Sequence, residues 1–410
     1  MFTPFSRAAV WAAALLPGLA AAGPLSFDGA LQLAVQRSEA ARAARAGVQS
    51  ARDASVAAGQ LPDPVLRAGI ENLPITGPDR FSTTNDSMTM KRIGISQEWV
   101  SQDKRSARQA AAQASTSREA VQAQAAIANT RLQTALAYVD AFYADEILKL
   151  TTLMEHHAHE EFEAARARLS SATGSSQELL QLSGGKGIAE DDSSEIRQQQ
   201  SAARLALQRW IGLRPDELVT MPVESVPTEE VYVAGHPSVA AMRQDLEVAK
   251  QAASVASANR DPNWTWEVAY GQRTGYSDMV TVGVSIPLAI ARGDRQDRET
   301  AAKLALVEKS EAELAEATRA ATAEYQVLSS DIERVRQRIE RLRAGVVTPA
   351  AQRTAVATAG YRSNQTSLVT LFEARHAEVD VQRKLLALQR ELARAQVQMK
   401  FRPLSGEVSP

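Results

Sequence analysis

The sequence predicts a membrane α/β fold. Four strands per chain enter a bacterial outer-membrane β-barrel completed by further copies, and long helices continue it as a coiled-coil tube. Three observations predict this. The stretch 263–288 alternates apolar and polar residues with period two, nearly everything else is polar, Ala-rich and helical, and the plan is written twice.

Within that stretch Trp264, Trp266, Val268 and Tyr270 alternate with Thr265, Glu267 and Ala269. After a turn over 271–278, Val280, Val282, Val284, Ile286 and Leu288 alternate with Thr281, Gly283, Ser285 and Pro287. Period two puts each set on one face of a sheet. Each arm has about the nine to eleven residues that a tilted strand needs to cross a bilayer. A half-buried hairpin on a soluble core is the plainer reading of the pattern alone. The surrounding helices offer little to cover an apolar sheet face, which leaves outer-membrane lipid.

In chain order, residues 1–22 have the form of an export signal: Arg7, an apolar core over 8–19, then the small residues Ala20, Ala21 and Ala22. The competing reading is a membrane anchor, for which the apolar run is short. The chain has no cysteine, hence no lipidated N-terminus and no disulfide. No later stretch approaches the roughly twenty apolar residues of a spanning helix. An exported chain with lipid-like strands points to a bacterial outer membrane.

The first unit, 23–213, opens with a helix over 27–60 that carries Asp28 in its first turn. Asp63-Pro64 closes it, because proline disfavours helix in the residue before it. Strands follow over 64–73 and 88–100. Their alternation is poorer, and Lys91 and Arg92 break it, either at a bulge or at the membrane rim. Trp99 falls where an interfacial aromatic belongs. A long helix over 102–169 carries Leu132, Leu136, Val139, Tyr143, Ile147, Leu150 and Met154 at steps of three and four. Its return, 176–211, is expected to loosen or break at Gly184-Gly185-Lys186-Gly187 and at the acidic 190–192. A connector over 214–235 holds prolines and short β-favouring runs such as Val231-Tyr232-Val233.

The second unit, 236–402, repeats the first. Ala54-Ser55-Val56-Ala57 recurs as Ala253-Ser254-Val255-Ala256, and Ile93-Gly94-Ile95-Ser96 answers Val282-Gly283-Val284-Ser285. The long helix over 294–359 has a coiled-coil seam of Tyr325, Leu328, Ile332, Val335, Ile339, Leu342 and Val346. Its return over 367–399 continues the pattern with Leu385, Leu388, Leu392, Ala395 and Met399. The tail, 403–410, is expected to be disordered. At about 1.5 Å per residue each long helix spans on the order of 100 Å. Four strands cannot close a barrel, and an open edge in lipid leaves backbone groups unpaired. Several copies must share one barrel, and three copies give twelve strands.

A formal charge of −2 over 410 residues gives no basic footprint for nucleic acid. No enzyme signature is present. The sequence Ser183-Gly184-Gly185-Lys186-Gly187 lacks the spacing of a phosphate loop, and no serine sits in a nucleophile-elbow pattern. No cofactor is expected.

The chain resembles the TolC-like outer-membrane efflux proteins from about residue 26 to residue 402. The carriers are the duplicated plan, the strand Val282-Gly283-Val284-Ser285-Ile286-Pro287-Leu288, and the turn region from Tyr361 to Leu371-Phe372-Glu373-Ala374. Glu71-Asn72-Leu73-Pro74 and the missing lipidated cysteine are similar to the heavy-metal, CzcC-like branch. The resemblance implies a homotrimeric barrel and tunnel that meets a periplasmic adaptor (membrane fusion) protein and an inner-membrane RND pump. Substrate, heavy-metal cations in that branch, passes through without chemistry. The rivals are a drug or protein-secretion duct of the same family and a periplasmic coiled-coil scaffold without a pore.

The resemblance also implies the tip residues. The family motif has glycine at the Asn364 position and an acid at the Thr370 position. The first turn keeps an acid at Glu178 but has Ala172 where glycine is expected, with Gly174 displaced. Asn364 is expected to take the left-handed conformation instead. Glu373 is the first choice for the gate ring and Glu178 the second, with Tyr361 as a hydrogen-bond partner. One metal-like cluster remains, in which His156 and His159 share a helical face with Glu160 and Glu163 nearby. It reads either as transient capture of a divalent cation or as a polar helix surface.

Overall fold

A computed structural model describes residues 24–219 and 225–404. The export signal over 1–22 and residues 405–410 of the tail lie outside the described residues. One antiparallel sheet runs in the order β1 (Val65–Glu71), β2 (Met90–Trp99), β3 (Trp264–Gln272) and β4 (Met279–Ser285). The central pairing of β2 with β3 joins the two halves of the chain, and β1 and β4 are edges among the described residues. Nine helices are described: α1 (Phe27–Arg37), α2 (Glu39–Ala58), α3 (Gln102–Ser170), α4 (Ser176–Ile211), α5 (Glu229–Ala234), α6 (Pro237–Ala258), α7 (Gln296–Leu342), α8 (Thr348–Arg362) and α9 (Leu368–Phe401). The order of two helices, two strands, a long helix and its return occurs twice. In the second occurrence the long helix is divided into α7 and α8.

The register sorts the strand residues onto two faces, because directly paired residues share a face. Ile95 lies between Leu66 and Val268, Val268 pairs with Val282, Tyr270 with Val280, and Trp266 with Val284. This apolar face is bare in the chain: Leu66 is 67% and Val282 73% exposed. One expectation fails here, and so does one of two alternatives for another. Ile286 and Leu288 lie beyond β4, which ends at Ser285, since Pro287 has no N–H to give a ladder. There is no bulge at Lys91 and Arg92, for the ladders run without a slip from Val65↔Ser96 to Glu71↔Met90 and from Lys91↔Gln272 to Trp99↔Trp264. Lys91 ends the apolar face opposite Gln272, while Arg92 points to the other face.

The helical body is held by narrow stripes. The largest cluster joins Phe27, Leu31, Tyr138, Leu207, Ile211 and Val397 from α1, α3, α4 and α9. Tyr138 is fully buried, with its ring edge against Phe27 at 5.4 Å between centroids. Its hydroxyl lies 2.8 Å from the Leu25 carbonyl oxygen and 2.7 Å from that of Val219, and burial pushes its pKa up to about 12. At 69 residues, α3 is about 100 Å long.

Several helix boundaries differ from expectation, each for a local reason. The helix over 27–60 divides at Ser38, whose side chain accepts the Ala41 N–H at 3.1 Å and caps α2. By contrast α4 is unbroken. Gly185 is buried, and a Cβ there would stand 2.5 Å from the Phe372 ring, so the glycine admits the ring rather than ending the helix. The seam of α7 holds through Ile332, Val335 and Ile339, all buried. It then stops at a π turn over Arg343–Val347, where Val346 is 42% exposed. Val231-Tyr232-Val233 is helical, in α5, because Thr228 caps it and Glu229 and Glu230 favour its first turn. Of the tail, Leu404 is anchored by donating its N–H to the Gly235 carbonyl at 2.7 Å.

Candidate functional site

The second face of the sheet is polar and carries a charged clamp. Arg92 on β2 donates through Nη1 to Glu71 Oε1 on β1 and through Nη2 to Glu267 Oε1 on β3, the latter at 2.8 Å. Its direct register partners are both glycine, Gly69 and Gly271, so no neighbouring side chain blocks the guanidinium from lying across the strands. Gly94, next on the same face, is also required, since a Cβ there would come within 2.6 Å of Ala269 Cβ. At the foot of the sheet the buried Lys104 of α3 donates to the Asp261 carbonyl and, at 2.6 Å, to Asn263 Oδ1. Asn263 Nδ2 in turn donates to Glu98 Oε1 at 2.8 Å. Trp99 and Trp264 sit side by side at this end of the apolar face, 5.8 Å between ring centroids.

The two helical hairpins end together. Ala165, Leu182, Ala357, Leu368, Leu371 and Ala374 form one buried cluster from both of them. Their turns share a geometry: Ala172 has φ of 59° and Asn364 of 60°, and Ser175 and Ser367 cap α4 and α9 by accepting the N–H of Glu178 and Thr370, each at 3.1 Å. Asn364 does take the left-handed conformation. In the first turn the alanine itself takes it, and Gly174 does not. Tyr361 packs on the tip cluster, and Thr370 is exposed. The two candidate gate acids differ. Glu178 is largely covered and faces Arg168 Nη1 at 3.5 Å, whereas Glu373 is exposed.

The histidine cluster is not assembled as the spacing suggested. Glu160 accepts both contacts, from His156 Nε2 and from His157 Nδ1, each at 3.3 Å. The hydrogen bond from His157 and the charge of His156 hold the Glu160 carboxyl below its usual range. His159 is exposed and takes no part in this contact. No group of three His, Asp or Glu side chains among the described residues is placed to hold a metal ion.

Sequence reasoning missed the ion pairs that stitch the hairpins. Arg375 of α9 reaches Glu161 of α3 at 2.7 Å, Arg383 reaches Asp192 of α4 at 3.0 Å, and Arg394 pairs with Asp140. Within the first hairpin Arg204 chelates Asp145 with two bonds, at 3.0 and 2.8 Å. Glu161 is buried, and that desolvation pushes its pKa up to about 7 against the pull of Arg375. The available signal was its step of three from Ala158 and four to Ala165, both buried, which places an acid on the inward stripe of α3.

The chain thus joins an open sheet with a bare apolar face to helices of up to about 100 Å. The chain superposes on the outer membrane protein VceC of Vibrio cholerae with a TM-score of 0.74 at 17% identity, over 91% of this chain and 94% of that one. It superposes on CusC, whose structures concern folding and transmembrane channel formation, at 0.76 and 14% identity, over 91% and 90%. The Neisseria gonorrhoeae MtrE outer membrane channel in its open state gives 0.73 at 16% identity, over 92% and 88%. At these identities the likeness is one of fold. No protein-family model and no curated protein matches the chain.

Proposed function

We propose that three copies of this chain form an outer-membrane channel that serves a tripartite efflux system and passes its substrate without chemistry. The observation that carries the reading is the uncovered apolar face of a four-stranded sheet with two open edges. Lipid satisfies the face, and only further copies satisfy the edges. A scaffold without a pore leaves both bare. No helix among the described residues is long and apolar enough to cross a membrane, and the bare face of the sheet is the proposed membrane segment. The helices then form a periplasmic tube whose tip meets an adaptor protein and an inner-membrane RND pump. Heavy-metal cations are the proposed substrate, supported by the resemblance of Glu71-Asn72-Leu73-Pro74 to the CzcC-like branch and by an exposed carboxylate, Glu373, at the tip. Three copies of Glu373 form the proposed gate ring, which attracts cations.

Cross-linking and mass measurement in detergent are expected to give a trimer, and planar-bilayer recordings a cation-preferring conductance. Glu373→Gln is expected to lower the cation-to-anion permeability ratio at low salt, where screening is weakest. A monomer stable in aqueous buffer with no conductance would end the channel reading. An unchanged ratio in Glu373→Gln would transfer the ring to Glu178.

A further inference from the structure

We infer that Arg92 sets the charge of the barrel's bore and is a specificity-determining residue for ions at the membrane level, a site separate from the tip. The inference rests on the barrel reading above, in which the face opposite the lipid lines the lumen. On that face the charged strand residues are Arg67, Glu71, Arg92, Glu98 and Glu267, and β4 contributes none. Glu98 is engaged by Asn263 at the foot of the sheet. At the level of Arg92 the row across the sheet is Gly69, Gly271 and Met279, so Arg92 is its one charged side chain. The charge that ions meet at that level is the clamp's.

The clamp is paired without being sealed. The side chains of Arg92, Glu71 and Glu267 are 24%, 42% and 28% exposed, open enough for their field to reach the bore. Two carboxylates and one guanidinium leave one net negative charge per chain. A guanidinium suits this position because its rigid fork serves two carboxylates at once and stays charged at any ordinary pH. Removing it leaves both carboxylates bare on the same face, and a trimer would then present six of them around the bore. Removing Glu267 instead leaves Arg92 with Glu71 alone, which brings the clamp to neutrality.

The test is the reversal potential of purified trimer in planar bilayers under a low-salt KCl gradient, repeated in a Glu373→Gln background so that the tip does not mask the barrel. Arg92→Gln is expected to raise the cation-to-anion permeability ratio severalfold, and Glu267→Gln to lower it. Arg92→Lys, which keeps the charge and loses the fork, is expected to stay near wild type. A purely structural clamp would alter yield or melting and leave the ratio alone. Channels that conduct normally with the same ratio in Arg92→Gln and Glu267→Gln would therefore overturn the inference while the channel reading stands. If Arg92→Gln does not assemble, Glu267→Gln and Arg92→Lys decide alone. Wild-type trimer without conductance would overturn the barrel reading and this inference with it.

Discussion

Glu161 shows what a single side chain contributes to joining the two halves of the chain. It is an acid on the buried stripe of α3, held by Arg375 of α9 and with Glu160 beside it. Burial raises its pKa from 4.5 to about 7, so the folded state keeps the proton over a window in which the unfolded chain has lost it. This contribution is therefore largest below the ordinary carboxylate range, declines as pH rises towards about 7, and levels off above it. Thermal unfolding of the detergent-solubilised protein from about pH 5 to about pH 8 should show that decline, and Glu161→Gln should flatten it. The amide keeps an acceptor for Arg375 and cannot ionise. A wild-type curve that rises with pH, with the rise removed by Glu161→Gln, would mean that Arg375 outweighs desolvation. That an acid lies inward was legible from its place between Ala158 and Ala165. Its partner was not, because Arg375 is 214 residues away and nothing local to either helix marks the pair. Asn364 was legible because the resemblance implies a glycine at its position and Asn tolerates the left-handed conformation that glycine would take there.

Elements were legible where a period decides them and misread where packing does. The second hairpin and the long helices follow from periods of two and of three and four, which adjacent residues reveal. The expected break in α4 relied on the propensity of three glycines, and tertiary contact overrules it. The three are not equivalent. A Cβ at Gly184 or Gly187 meets nothing within 4 Å, whereas at Gly185 it meets the Phe372 ring at 2.5 Å. Gly184→Ala and Gly187→Ala should each stabilise the helix by about 1 kcal/mol, and Gly185→Ala should destabilise by roughly 1–3 kcal/mol because the ring must move. Denaturant titration of the three variants separates the readings, and equal gains in all three would show that Phe372 is not fixed against α4. The π turn at Arg343–Val347 is not marked by the three-four seam of α7, which runs across it in the sequence without a fault; its signal is Pro349 just beyond it, which has no N–H to give Gly345.

At the scale of the molecule, the two faces of the sheet differ in burial, with Gly94, Ser96 and Ala269 covered on the face of Arg92 and the apolar face bare, but no residue of β4 is buried on either face. Val282 and Thr281 are neighbours on β4, both exposed, and their register partners Val268 and Ala269 point to opposite faces. Within one chain, replacing either by arginine removes little packing, so chain stability alone gives the two variants the same outcome. Assembly in a membrane separates them. Val282→Arg places a charge in the middle of the lipid-facing band, at a cost of about 2–4 kcal/mol per chain, and three chains incur it together. Thr281→Arg places the charge in a wet lumen and costs little. Outer-membrane yield of heat-resistant trimer should therefore collapse for Val282→Arg and persist for Thr281→Arg. The reverse order would mean that the faces are exchanged, with the clamp of Arg92 turned to lipid. Equal yields, with both variants recovered as soluble protein, would mean that no bilayer covers this sheet.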